Sequence, residues 1–183
     1  GILAHCFAGC DSEAVLRAIS RIAITPGSAA PAYKAPTCTA NVERIWSQAV
    51  PVPGTLAARY LERRNLPADL PDIRFHPRCP LGRKPDTQFK PALLAAARHG
   101  RELRAIQRIF LDPDTCWHTG KYMLGLPGMA AWKPPFSGTA LAIAEGLEDA
   151  AAFTQLHGIT CWAAFGTRRL PLLAIPDQVD TLM

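Results

Sequence analysis

The run Thr139-Ala-Leu-Ala-Ile-Ala144 stops at Glu145-Gly146, and the chain passes straight into an acidic helix start, Leu147-Glu148-Asp149-Ala150. Too short for a helix and closed by glycine, the run reads as a buried strand of a parallel sheet. Its last residue then lies at the carboxyl end of that strand, the edge where open α/β sheets collect their ligands. A carboxylate there, beside a glycine that lets the backbone come close, suits a divalent cation and its phosphate ligands.

The order downstream extends this pattern. A helix over about residues 147–157 is closed by His157-Gly158, and a strand over 159–165 ends in Gly166-Thr167. A short helix near 168–174 and a strand beginning at 181 follow. That is a βαβ unit with a second crossover, so a parallel sheet is expected.

Upstream, the periodicity changes. Asp11 is placed to cap a helix, Glu13 complements the positive end of its dipole, and Val15, Leu16, Ile19 and Ile22 make one apolar stripe. Residues 25–37, TPGSAAPAYKAPT, hold too few large apolar side chains to pack and read as a linker. Helices are expected over about 39–49, with Val42, Ile45, Trp46 and Ala49 on one face, and 55–65, with Leu56, Tyr60 and Leu61 inward. Residues 73–76 read as a short strand bounded by prolines. Residues 92–98 and 102–111 form a hairpin around His99-Gly100, in which alternation puts Arg104 and Arg108 on one face with Ile106. Residues 121–124 add a third strand.

The expected fold class is therefore α/β, α+β overall. An N-terminal helical segment (1–24) and a linker (25–38) precede a small antiparallel sheet with helices (39–136) and a partial βαβ parallel sheet (137–183). No apolar stretch is long enough to span a membrane, and a cytoplasmic protein is expected. The chain opens at Gly1 without Met and closes on Asp180-Thr-Leu-Met183, a strand just starting, so an excerpt of a longer protein is expected. Six cysteines at irregular spacing argue against a disulfide framework, and Cys161, inside an apolar run, reads as packing.

Charge is unevenly spread. Residues 1–138 carry 18 Lys/Arg against 10 Asp/Glu, and residues 139–183 carry two against five. A basic body beside an acidic segment fits a nucleic-acid surface next to a metal site, although solvated helix faces give the same count. Arg104, Arg108, Lys121, Lys133, Arg168 and Arg169 are candidates for phosphate contacts, with Trp117 or Trp132 for base stacking. His76, His118 and His157 have no partners at ligand spacing and are read as structural.

Glu145 is the leading chemical candidate, a metal ligand or general base assisted by Glu148 and Asp149, with Gly166-Thr167 at the same edge. The competing reading is that Glu148 and Asp149 only favour the helix N-terminus and that Glu145 is a solvated strand-end residue. Mg²⁺ usually takes one or two carboxylates plus substrate phosphate, so further ligands are expected from the third strand. Asp177 and Asp180 precede that strand and are expected at its opposite edge. Cys6 and Cys10, with His5, can supply half of a tetrahedral zinc site, which two ligands alone do not complete.

Three stretches together carry a resemblance. Ala140-Leu-Ala-Ile-Ala-Glu145-Gly-Leu-Glu-Asp149 is similar to the first motif of the Toprim domain of bacterial-type DNA primases, topoisomerases and certain nucleases. Cys161-Trp-Ala-Ala-Phe-Gly166-Thr167 resembles the Toprim strand that ends in Gly-Thr. His5-Cys-Phe-Ala-Gly-Cys10-Asp resembles the tail of the zinc-binding module at the front of phage- and plasmid-type primases, and the middle of the chain is similar to the region linking the two.

The resemblance implies an incomplete Toprim domain and a DNA primase-like nucleotidyltransferase of a mobile-element replication system. In it Glu145 serves phosphoryl transfer with Mg²⁺ (or Mn²⁺) shared with an Asp-x-Asp pair on the next strand, and Gly146, Glu148, Asp149, Gly166 and Thr167 surround the cofactor. Arg104, Arg108, Lys121, Arg168 and Arg169 would face nucleic acid. Single-stranded DNA and nucleoside triphosphates are the implied partners, with a replicative helicase as a further one, and Zn²⁺ belongs to the full-length protein. The Asp-x-Asp strand is absent from this chain, so an inactive fragment is expected. A Toprim nuclease, or a non-catalytic nucleic-acid-binding module partnering a helicase, are the alternatives.

Overall fold

The structure, a computed structural model, describes residues 11, 13, 17, 39–82 and 84–183. The chain divides into two compact units, Gly1–Ala35 and Pro36–Met183. In the first, Glu13 and Arg17 form an exposed ion pair of 3.6 Å, one helical turn apart. The stripe of Val15, Leu16, Ile19 and Ile22 lies outside the described residues, as do His5, Cys6 and Cys10.

The second unit begins with two short helices, α1 (Thr39–Ser47) and α2 (Leu56–Glu62). Thr55 caps α2, its hydroxyl accepting from the Ala57 N–H at 3.2 Å. A four-stranded antiparallel sheet follows in the order β1 (Ile73–Leu81), β2 (Gln88–His99), β3 (Glu102–Leu111) and β4 (His118–Gly125). Residues 92–97 of β2 are all buried, because α1 covers one face of the sheet and α2 part of the other. Ala92, Leu94 and Ala96 pack with Val42 and Ile45 of α1, and Leu93, Ala95 and Ala97 share a core with Tyr60 and Leu61 of α2.

Three strands run further than their sequences indicate, β4 spanning His118–Gly125 beyond the expected 121–124. β1 continues through Pro77 and Pro80 instead of stopping at His76, with a change of register between His76 and Cys79. The prolines are tolerated because β1 is an edge strand, where half of the N–H groups have no neighbour to serve. That extension brings Pro80 opposite Phe89 and carries β2 back to Gln88.

The chain then enters a small parallel sheet, order β6-β5-β7, formed by β5 (Ala140–Ala144), β6 (Cys161–Ala163) and β7 (Thr181–Leu182). Helix α3 (Leu147–His157) makes the crossover and ends on Gly158 in the left-handed conformation. β6 is shorter than the expected 159–165 at both ends; at its carboxyl end Phe165 and Gly166 leave the extended region, with φ of 61° and 141°. Leu147, Ala150 and Ala151 of α3 lie in the same core as Leu93 and Ile109 of the antiparallel sheet. The fold is thus α+β, with both sheets packed inside one unit.

Residues 131 and 132 join the sheets through the backbone. Ala131 exchanges hydrogen bonds with Arg98 at the end of β2, at 2.9 and 3.3 Å. Trp132 does the same with Ala163 of β6, at 3.0 and 3.1 Å. The Trp132 ring is buried and its Nε1–H donates to the Pro71 carbonyl at 2.7 Å, so it is unavailable as a base-stacking surface.

Gly125 closes β4 at φ 95°, and a Cβ there would come within 2.6 Å of the Arg104 carbonyl and 2.8 Å of Val42 Cγ2. Both the conformation and the space require glycine. Gly125→Ala is expected to cost about 2 kcal/mol or more, through backbone strain and overpacking against α1. Urea denaturation of the two proteins measures the difference.

Candidate functional site

β5 and β6 are parallel, and their carboxyl ends are tied one residue after another. The Ala164 N–H donates to the Ala144 carbonyl at 2.9 Å, and the Gly166 N–H to the Glu145 carbonyl at 3.2 Å. Glu145 and Gly166 are therefore neighbours at the sheet edge. At that edge lies a cavity of about 290 Å³ lined by Glu145, Gly146, Asp149, Gly166, Gln107 and Lys121, with Phe165 completing the wall.

Gly146 precedes α3 in an extended conformation, so its role here is space. A Cβ at this position would sit 3.0 Å from Asp149 Oδ2 and 3.6 Å from Glu148 Oε2. The bare backbone lets both carboxylates of the first helical turn fold back toward the strand end. Glu145 and Asp149 are exposed to the cavity, whereas Glu148 is buried.

Glu148 serves a different purpose. The Tyr60 hydroxyl donates to its Oε1, and the Lys121 ammonium lies 2.8 Å from Oε1 and 2.9 Å from Oε2. One carboxylate thus joins α2, β4 and α3. Burial pushes Glu148 upward, but the Lys121 ammonium and the Tyr60 hydroxyl outweigh it and hold the carboxyl below its ordinary value. Burial, followed by the neighbouring Glu148 carboxylate, drives the Tyr60 phenol far above its own. Tyr60 therefore remains a neutral donor and Glu148 an ionised acceptor.

The residues singled out in the sequence divide accordingly. Glu145, Gly146, Asp149, Gly166 and Lys121 come together around one cavity, while Thr167 starts a 3₁₀ turn, Thr167–Leu172, outside its lining. Arg104 and Arg108 rise from the opposite face of β3: Arg104 bonds Glu102 at 2.8 Å and Arg108 the Pro80 carbonyl at 2.6 Å. Arg169 is engaged structurally, donating to the carbonyls of Ala164 and Ala130 at 2.7 and 2.6 Å, and Arg168 is exposed. Lys133 donates to the Ala174 carbonyl at 3.3 Å and stacks on Trp162. Asp180 lies beside Thr139 at the amino end of β5, away from the cavity.

Gln107 was not singled out by sequence. Its side chain lines the same cavity as Glu145, and its Oε1 is buried with no partner among the described residues. The signal was present in the β3 alternation, which places Gln107 on the face of Ile109, opposite to Arg108.

Among the described residues no three His, Cys, Asp or Glu side chains cluster as a complete metal cage. The two carboxylates at the cavity are instead hard oxygen donors of the number Mg²⁺ commonly takes from protein, its remaining positions going to water and phosphate. The donor set fits such a cation.

Because the Glu148 carboxyl is depressed in the folded state, its contribution to stability is present above the unfolded value. It is lost as pH falls through the folded one. Melting temperatures followed from neutral pH down to about pH 3 should show an acid limb that flattens in Glu148→Gln. Glu148→Ala should cost about 2–4 kcal/mol at neutral pH, below the full value for a buried pair because Lys121 is partly solvated. The Lys121 side chain is 31% exposed.

No curated protein and no solved structure matches the chain. A protein-family match covers residues 37–133, just over half of its length and running from before α1 to the residue after Trp132. The chain therefore belongs to the family described as Domain of unknown function (DUF7146).

Proposed function

We propose that this chain is part of a Toprim-type, primase-like nucleotidyltransferase of a mobile-element replication system, acting in the cytoplasm on single-stranded DNA and nucleoside triphosphates. The observation that carries the reading is the pairing of Glu145 with Gly166 at the carboxyl end of a parallel sheet, in a cavity shared with Asp149 and Lys121. A replicative helicase is the further partner this reading brings.

Glu145 and Asp149 would hold Mg²⁺ or Mn²⁺. When bound, the cation neutralises charge on a transferring phosphoryl group. The chain's own contributions follow from its geometry. Gly166 leaves the backbone bare at the end of β6, where a phosphate could approach, while the room at Gly146 is taken by the Asp149 carboxylate. Lys121 lines the cavity while anchored on Glu148, which fixes a positive charge there without a flexible stem to order.

The test is incubation of the full-length protein with a single-stranded template, nucleoside triphosphates and Mg²⁺. Products longer than any input oligonucleotide are expected, and Glu145→Gln should reduce their rate by about 10²-fold or more. Products shorter than the template would turn the reading into a Toprim nuclease. Undiminished synthesis by Glu145→Gln would end it.

A further inference from the structure

On the face of the antiparallel sheet turned away from Glu145, α1 and the edge strand enclose a second cavity of about 470 Å³. That volume lies within the range of small-molecule sites. Arg44 of α1, Arg78 of β1, Lys84 of the β1–β2 loop and Arg108 of β3 line it, and among the described residues no carboxylate does. The separation from the Glu145 site follows from register: Arg108 stands opposite Tyr122, on the alternate face to Gln107 and Lys121.

Among the described residues none of these four cations has a carboxylate partner. The Arg44 guanidinium reaches Gln48 Oε1 at 3.4 Å. Arg108 uses one guanidinium N–H on the Pro80 carbonyl, while its Nε is buried without a partner. Four like charges around one hollow repel each other, and an anion in the hollow removes that repulsion. Arginine forks match phosphate oxygens in particular.

A second observation narrows the anion. Phe89, 57% exposed, lines the same cavity, with the Arg78 guanidinium 5.6 Å from its ring centroid. Ile45 and Leu124 add apolar wall. An exposed aromatic ring among arginines is the arrangement on which nucleobases stack, whereas a simple phosphate has no use for it.

We propose that this cavity binds a nucleotide unit, its phosphate held by Arg44, Arg78, Lys84 and Arg108 and its base against Phe89. The unit arrives either as a free nucleotide or as one residue of a single strand, since both present the same phosphate and base.

The full chain would be titrated with ATP, with a short labelled oligothymidylate and with inorganic pyrophosphate, using calorimetry and fluorescence anisotropy. ATP or the oligonucleotide should bind more tightly than pyrophosphate, and the one whose affinity falls when Arg44 and Arg78 are removed identifies the source. Arg44 and Arg78 are exposed, so R44A/R78A should keep its circular dichroism spectrum and melting temperature. It should nevertheless weaken binding about tenfold or more, and the salt dependence should fall by about one unit for each phosphate that the variant leaves unneutralised. Phe89→Ala should weaken ATP or oligonucleotide binding by about tenfold and leave pyrophosphate unaffected. Equal affinities in the wild type and R44A/R78A, or pyrophosphate binding as tightly as ATP, overturns the proposal. None of these residues lines the Glu145 cavity, so the outcome stands apart from the reading of that site.

Discussion

Glu148 is an ionised carboxylate held almost out of water between a tyrosine hydroxyl of α2 and a lysine of β4. A charge in that position is tolerated only while both partners stay in place. Tyr60 and Lys121 come from the antiparallel half of the unit and Glu148 from the parallel half, so the electrostatic demand of one side chain sets how the halves meet. The apolar core between the halves, made largely of alanine and leucine along β2 and α3, is held by non-directional contacts. The ion pair and its hydrogen bonds specify one arrangement.

The backbone seam at Ala131 and Trp132 works in the same direction by other means. Each residue exchanges two hydrogen bonds with a different sheet, and the Trp132 indole adds a third attachment at Pro71. Backbone pairing fixes distance along the strands, while Glu148 fixes the face that α3 presents. Between them, the end of β5 and the β3–β4 pair converge on one cavity, which neither sheet lines alone.

Much of this was legible in the residues themselves. Short apolar runs closed by glycine identified β5 and the strand-end position of Glu145, and the His99-Gly100 turn located the β2–β3 hairpin. What could not be read was contact at long range. Nothing local distinguishes Glu148 from Asp149, both acidic in the first turn of α3, yet one is buried against residues 88 and 27 positions earlier while the other faces the cavity. Likewise, Arg108 and Lys121 look equally suited to phosphate until the register of β3 and β4 sends them to opposite faces. The prolines of β1 misled in the other direction, because whether a strand lies at an edge is a property of the sheet.

The family match stops at residue 133, immediately after the seam, whereas the core it belongs to does not. Removed from the rest, the matched segment would expose Trp132 without its pairing strand and leave Lys121 and Tyr60 facing a missing acid. The family match and the compact unit therefore have different borders. A segment cut at the family borders would leave open to water the apolar side chains that α3 and β6 cover.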